Sequence, residues 1–258
     1  MSASKGFRQI NPDIFRPARK RRVKKRRHPI RRLLAWTVGI LLTLFLGFNL
    51  WVLAKLWWWT DHTPQASAFM EARLARLQEK DPDADLHFRW VPYERISIHL
   101  KRAVVAAEDA RFMEHEGFDW EGIEAAFNKN LKQGSLVAGG STISQQLAKN
   151  LFLSGRRSFL RKGEEALITV MIEAMWSKRR ILEVYLNVVE WGERVYGAEA
   201  AARRYYRVSS DALTPEQSAR LAAMLPRPGY YETHPESRWL GIRTRMISRY
   251  MRQVRVPR

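Results

Sequence analysis

Residues 33–54 contain no charged side chain and a single strongly polar one, Asn49. A run of that length suits a helix crossing the hydrocarbon core of a bilayer, which takes roughly 20 apolar residues. Trp36 lies near one end and Trp57-Trp58-Trp59 near the other, where interfacial aromatics are expected. Up to Arg32 the chain carries thirteen cations opposed by Asp13 alone, a net +12 out of the total +19. Basic flanks stay on the cytoplasmic side, so the amino terminus is expected inside and everything after Trp59 outside. A cleavable signal peptide would have a shorter apolar region and a small-residue cleavage site. This run is long and leads into Lys55-Leu-Trp-Trp-Trp59, which favours an uncleaved anchor.

The basic tail then serves topology and anionic lipids. Nucleic acid is disfavoured as its partner, because it abuts the span. Beyond it the chain is only moderately basic, at +7. Without cysteine there can be no disulfide, thiolate catalysis or Cys-based zinc site. The expected organisation is a cytoplasmic tail over 1–32, a membrane helix over 33–54 and a stalk over 55–84. A catalytic domain over 85–235 and a basic amphipathic helix over 236–258 follow.

The fold class expected outside the membrane is mainly α. Helical periodicity marks 66–80, and Asp119 is placed to cap a helix reaching about Lys132. A glycine-rich loop spans 134–140, and Ser141 or Thr142 can open the next helix. Further helices read at 159–176, 178–188 and 198–206. Thr214-Pro-Glu-Gln217 is a capping box with proline at the first helical position. The basic run 239–254 could lie on a membrane or pack on the domain.

Five segments carry groups suited to chemistry. The first is Glu108-Asp-Ala-Arg-Phe112-Met-Glu-His115-Glu-Gly117, an acidic pair at the end of an apolar helical run. The second, Gly139-Gly-Ser-Thr-Ile-Ser-Gln-Gln-Leu-Ala-Lys-Asn150, feeds a helix start rich in hydroxyls and amides, where free N–H groups favour anions. Arg161-Lys162-Gly-Glu-Glu-Ala166, Lys178-Arg-Arg-Ile-Leu-Glu183-Val-Tyr-Leu-Asn187 and Gly192–Tyr206 complete the set. Taken singly, each has a structural explanation: a solvated helix end, a cap, a surface ion pair, a core stripe or close helix packing.

In order and spacing the five together resemble the glycosyltransferase domain of peptidoglycan polymerases, glycosyltransferase family 51, which is shared with class A penicillin-binding proteins. The likeness covers roughly residues 85–230. No Lys-Thr-Gly triplet is present, so the resemblance is to the monofunctional biosynthetic transglycosylases, without transpeptidase activity. It implies a lysozyme-like, two-lobed helical domain in the periplasm, tethered to the inner membrane by a single pass. The implied reaction polymerises lipid II into β-1,4-linked glycan and releases polyprenyl diphosphate.

By that resemblance Glu108 is the general base, and Asp109 orients the acceptor or the loop. Lys149, Arg161 and Lys162 would face the pyrophosphate. Phe112, His115, Ser141, Thr142, Gln145, Gln146 and Asn150 would line the substrate site, with Glu183 in support. Glu165 is the second acid, which would help departure of the leaving group or hold a divalent cation (Mg or Mn). No organic cofactor is implied. Implied partners are lipid II, the growing glycan chain, membrane lipids and cell-division or elongation proteins, with no nucleic acid. A lytic peptidoglycan hydrolase is the rival enzyme, although it has no need of the cation set. A non-catalytic envelope scaffold is the rival outside enzymology.

Overall fold

The structure, a computed structural model, describes residues 29–133, 140–153 and 158–258. The tail up to residue 28 and the glycine-rich loop over 134–139 lie outside the described residues. Contacts divide the chain into two units, up to Leu46 and from Gly47 onward. Helix α1, Pro29–Asp61, begins in the first and ends in the second. Among the described residues it is the one helix long and apolar enough to cross a membrane. Leu33, Leu34, Trp36, Leu41 and Leu44 are all exposed, as a lipid-facing surface would be.

The helix does not stop at Ala54, where the apolar run ends. Its last turns belong to the second unit, and Val52, Leu56 and Trp59 are buried there. No separate stalk therefore starts at residue 55. Trp176 Nε1 donates to Leu56 O at 2.9 Å. Arg180 Nη2 reaches Trp59 O at 2.7 Å and His62 O at 2.6 Å. Trp59 O and His62 O lie at the carboxy terminus, where carbonyls lack intrahelical partners, and a guanidinium there also suits the negative dipole end.

The second unit continues with α2 (Ala68–Gln78), capped by Ser67, and α3 (Ile98–Glu108), capped by Ser97. Next come α4 (Trp120–Gln133), α5 (Ile143–Phe152), α6 (Phe159–Met175) and α7 (Lys178–Val188). Ser158 and Ser177 cap α6 and α7 through their hydroxyls. Helices α8 (Ala198–Tyr206), α9 (Pro215–Met224), α10 (Pro228–Thr233) and α11 (Arg238–Tyr250) complete it. The capping box at Thr214 forms as the sequence signals, with proline in the first turn of α9. The mainly helical architecture expected from periodicity is the one observed.

A small sheet joins β1 (His87–Phe88), β3 (Val195–Tyr196) and β2 (Glu190–Gly192), in the order β1-β3-β2. β1 runs parallel to β3 and β2 antiparallel to it. Gly197 follows β3 at φ +82°, and a Cβ there would lie 2.5 Å from Asn187 O. Only glycine suits that turn. Ala198, Ala201 and Ala202 behind it are fully buried, so the fifth segment is explained by packing.

Helix α3 lies in the core, packed on α9 and α11, while α5 packs on α6, α7 and α2. The basic amphipathic helix is thus part of the domain. Leu240 and Ile247 of α11 are buried in the same core as Leu100, Val104 and Val105 of α3.

Candidate active site

Glu108 is the last residue of α3, and Asp109 follows as its carboxy-terminal cap with φ −164° and ψ 72°. That turn sends the two adjacent carboxylates in different directions. Glu108 faces a cleft of about 670 Å³ lined also by Ser141, Gln146, Arg227, Tyr230, Trp239 and Arg243. Its side chain is only 13% exposed. Gln146 Nε2 donates to Glu108 Oε2 at 3.0 Å, and Arg243 Nη2 donates to Oε1 at 3.1 Å. The same Nη2 is 3.1 Å from Ala107 O, so α11 is tied to the end of α3.

Burial pushes the Glu108 carboxyl above its ordinary 4.5, against the opposing pull of Gln146, Arg243 and Lys149. Desolvation wins over three stabilising partners because the carboxylate has little water left to solvate it. A helix carboxy terminus is also a poor place for negative charge. The result is a carboxyl with raised basicity at the wall of an open cleft, the environment a general base needs.

Gln146 is itself oriented. Tyr185 Oη donates to Gln146 Oε1 at 3.0 Å, which leaves Nε2 to face Glu108. Tyr185 is fully buried, and burial, then the charges of Glu108 and Asp109, hold its phenol well above the usual range. It therefore stays a hydrogen-bond donor.

Asp109 points into the protein, its side chain 1% exposed. One oxygen meets His115 Nε2 at 2.8 Å and the other accepts from Ile143 N at 2.9 Å. It braces the 110–117 loop and the start of α5, and this structure gives it no contact with the cleft. Bracing the loop is one of the two roles expected of Asp109, and four other residues expected to line the site are likewise engaged inside the protein. Phe112 is fully buried, with Lys178 Nζ 4.6 Å from its ring centroid. His115 is held by Asp109. Thr142 and Gln145 form the capping box of α5, and Thr142 Oγ1 donates to Gly117 O at 2.7 Å. Their side chains are committed to the backbone.

Of the second segment, Ser141 and Gln146 line the cleft. Lys149 is half-buried on α5, and its charge acts on Glu108. Asn150 is half-buried beside it and does not line the cleft. Arg161, Lys162 and Glu165 gather on the first turns of α6 and also lie outside the cleft lining. Glu165, 7% exposed at its side chain, pairs with Lys162 Nζ. Arg161 Nε is buried without a hydrogen-bond partner. Glu183 accepts from Tyr93 N at 3.1 Å and from Arg180 Nη1 at 2.8 Å. Asn187 bonds both N and O of Val91 at 2.9 Å. Through Glu183 and Asn187 the fourth segment thus holds the lead-in at 90–93, and through Tyr185 it supports Gln146 at the cleft.

Among the described residues no group of three or more His, Cys, Asp or Glu side chains converges to hold a metal. Glu165 alone does not make a cage, and its carboxylate is already engaged by Lys162.

Comparison with known proteins decides the family. A family described as Transglycosylase matches residues 74–252. The chain belongs to the transglycosylase family. It is 62% identical over 221 residues to a biosynthetic peptidoglycan transglycosylase of Thiobacillus denitrificans, covering 86% of this chain and 95% of that one. Proteins of the same description from Chromobacterium violaceum and Methylobacillus flagellatus are 58% and 59% identical. They cover 88% and 85% of this chain, and 99% and 96% of their own lengths.

For this transglycosylase, Arg243 and Tyr185 are the residues that sequence reasoning overlooked. Tyr185 reads as one of a core stripe, and Arg243 as one of several cations on an amphipathic helix. The nearest signal is the Pro226-Arg-Pro228 break, which turns α10 and α11 back toward α3.

Proposed function

We propose that this chain is a peptidoglycan glycosyltransferase that polymerises lipid II into β-1,4-linked glycan, without transpeptidase activity, and that Glu108 is its general base. The observation that carries the proposal is the placement of Glu108, largely buried at the cleft wall and more basic than an ordinary carboxylate. The ionised carboxylate takes the proton from the acceptor's sugar 4-hydroxyl as that oxygen bonds to C1 of the growing chain. The C1–oxygen bond to the pyrophosphate breaks with inversion, and polyprenyl diphosphate departs. Gln146 and Arg243 hold the carboxylate in place and keep it ionisable. Negative charge grows on the departing pyrophosphate, so cations near it lower the barrier. Lys149 is the best placed of the three proposed, since its field already reaches Glu108. Arg227 of the cleft wall joins that set. Arg161 and Lys162 would act from α6, along the path of the lipid-linked phosphates.

Glu165 could give one carboxylate oxygen to a Mg or Mn ion whose other ligands came from substrate phosphates and water. Lys162 would then have to release it, and no step above depends on such an ion.

In this reading the apolar helix tethers the domain to the bilayer that holds the polyprenyl tail, with the amino terminus cytoplasmic and the catalytic domain periplasmic, as the basic flank favours. Exposed Trp120, Phe127 and Leu131 on α4 and Phe159 and Leu160 on α6 support apolar, membrane-facing surface on those helices. Substrate separates this reading from a lytic hydrolase. Incubation with lipid II alone is expected to yield polymer, and cleavage of preformed glycan without polymer would overturn it.

A further inference from the structure

After α11 the chain continues extended over residues 254–258. Tyr93 Oη donates to Pro257 O at 2.7 Å, and Val254 and Val256 pack against the core. Between this tail and the amino-terminal half of α3 lies a groove of about 810 Å³ that shares no lining residue with the Glu108 cleft. Six cations line it: Lys101, Arg102, Arg179, Arg252, Arg255 and Arg258. Glu94 is the one acid in the lining, and Arg179 already pairs with it.

The other five cations have no carboxylate within 4.0 Å among the described residues. Lys101 is only 6% exposed, and its Nζ lies 3.9 Å from the centroid of the Tyr93 ring. A buried ammonium is normally paired, and an aromatic face replaces only part of the lost hydration. Arg102 Nε is buried with no hydrogen-bond partner. Burial lowers the affinity of Lys101 for its proton, opposed by Glu183, and an anion in the groove would reverse that cost.

We infer that this groove is a second anion site, which takes a phosphate-bearing ligand. Five cations with no carboxylate in contact suit a multiply charged anion better than a single carboxylate, and guanidinium forks match phosphate oxygens. Ile98, Met113 and Val256 add apolar wall, so a lipid headgroup and a soluble phosphate both fit the chemistry. The proposal does not depend on the role given to Glu108.

The test uses the full chain in phosphatidylcholine nanodiscs, titrated with radiolabelled inorganic pyrophosphate. A parallel arm measures phosphatidylglycerol retained by the protein extracted from mixed-lipid nanodiscs. Arg102→Ala with Arg255→Ala is compared with wild type, both in a Lys149→Ala background that weakens any binding at the cleft. Loss of about tenfold in pyrophosphate affinity supports a soluble phosphate as the source. Loss of phosphatidylglycerol retention alone supports a lipid headgroup. Equal pyrophosphate binding and equal lipid retention in the two proteins overturns the site. Arg255→Ala alone, on the extended tail, gives the same readings if the double variant does not fold.

Discussion

Glu108 and Asp109 are neighbours in the chain with opposite surroundings, and each carries its own prediction. Because burial raises the Glu108 pKa, the folded protein holds its proton more tightly than the unfolded chain does. Its contribution to stability is fully present below about 4.5, the ordinary value, and is lost as pH rises through the folded pKa. Glu108→Gln, which cannot ionise, should therefore melt at or above the wild-type temperature near pH 7. The gap should close as pH falls toward 4.5, as scanning calorimetry would show. Arg243→Ala removes one of the groups that lower this pKa. The acid limb of the pH–rate profile should then move to higher pH, while an unmoved limb would deny Arg243 its place beside the base. Asp109→Ala strands Ile143 N and His115 inside the protein. It should cost about 3 kcal/mol in denaturant unfolding, the scale of a lost charge-assisted bond.

At the scale of elements, helix starts were the most legible part of the chain. Asp119, Thr142 and Thr214 each accept from a backbone N–H of the helix that follows, because capping is a local bargain between a side chain and the next turn. The site was legible in part for the same reason. The acidic pair, Gln146 and Lys149 stand out as residue types, but which face each presents is decided by contacts far away in sequence. Asp109 and Thr142 look like ligand-binding groups and are spent on bonds inside the protein, Asp109 to His115 and Ile143 N and Thr142 to backbone. Arg243 looks like a surface cation, yet it meets a carboxylate 135 positions earlier. Gly117 is another such case. Its φ is +89°, and a Cβ there would sit 2.8 Å from Thr169 Cγ2. Gly117→Ala should lose about 1–3 kcal/mol of stability, measured by urea unfolding, and should loosen the loop that Asp109 and Thr142 brace.

Across the whole molecule, the long apolar helix is more than a candidate membrane span. Its final turns are core elements, Arg180 closes its terminal carbonyls and Trp176 adds a bond to Leu56 O. Sequence reading divided anchor from stalk at Ala54, since hydropathy changes there, but burial of Leu56 and Trp59 runs across that boundary. Arg180→Ala should therefore lower the melting temperature of the full chain in detergent by several degrees, on the order of 2 kcal/mol. An unchanged melt would mean that the helix end is held without it.

The proposed reaction turns on Glu108 as the base. The most direct measurement is the rate of lipid II polymerisation by the full chain, wild type against Glu108→Gln, with melting curves showing that both are folded. Removal of a general base is expected to slow the reaction by about 10²–10⁴-fold. A folded Glu108→Gln protein that polymerises lipid II at close to the wild-type rate would contradict it.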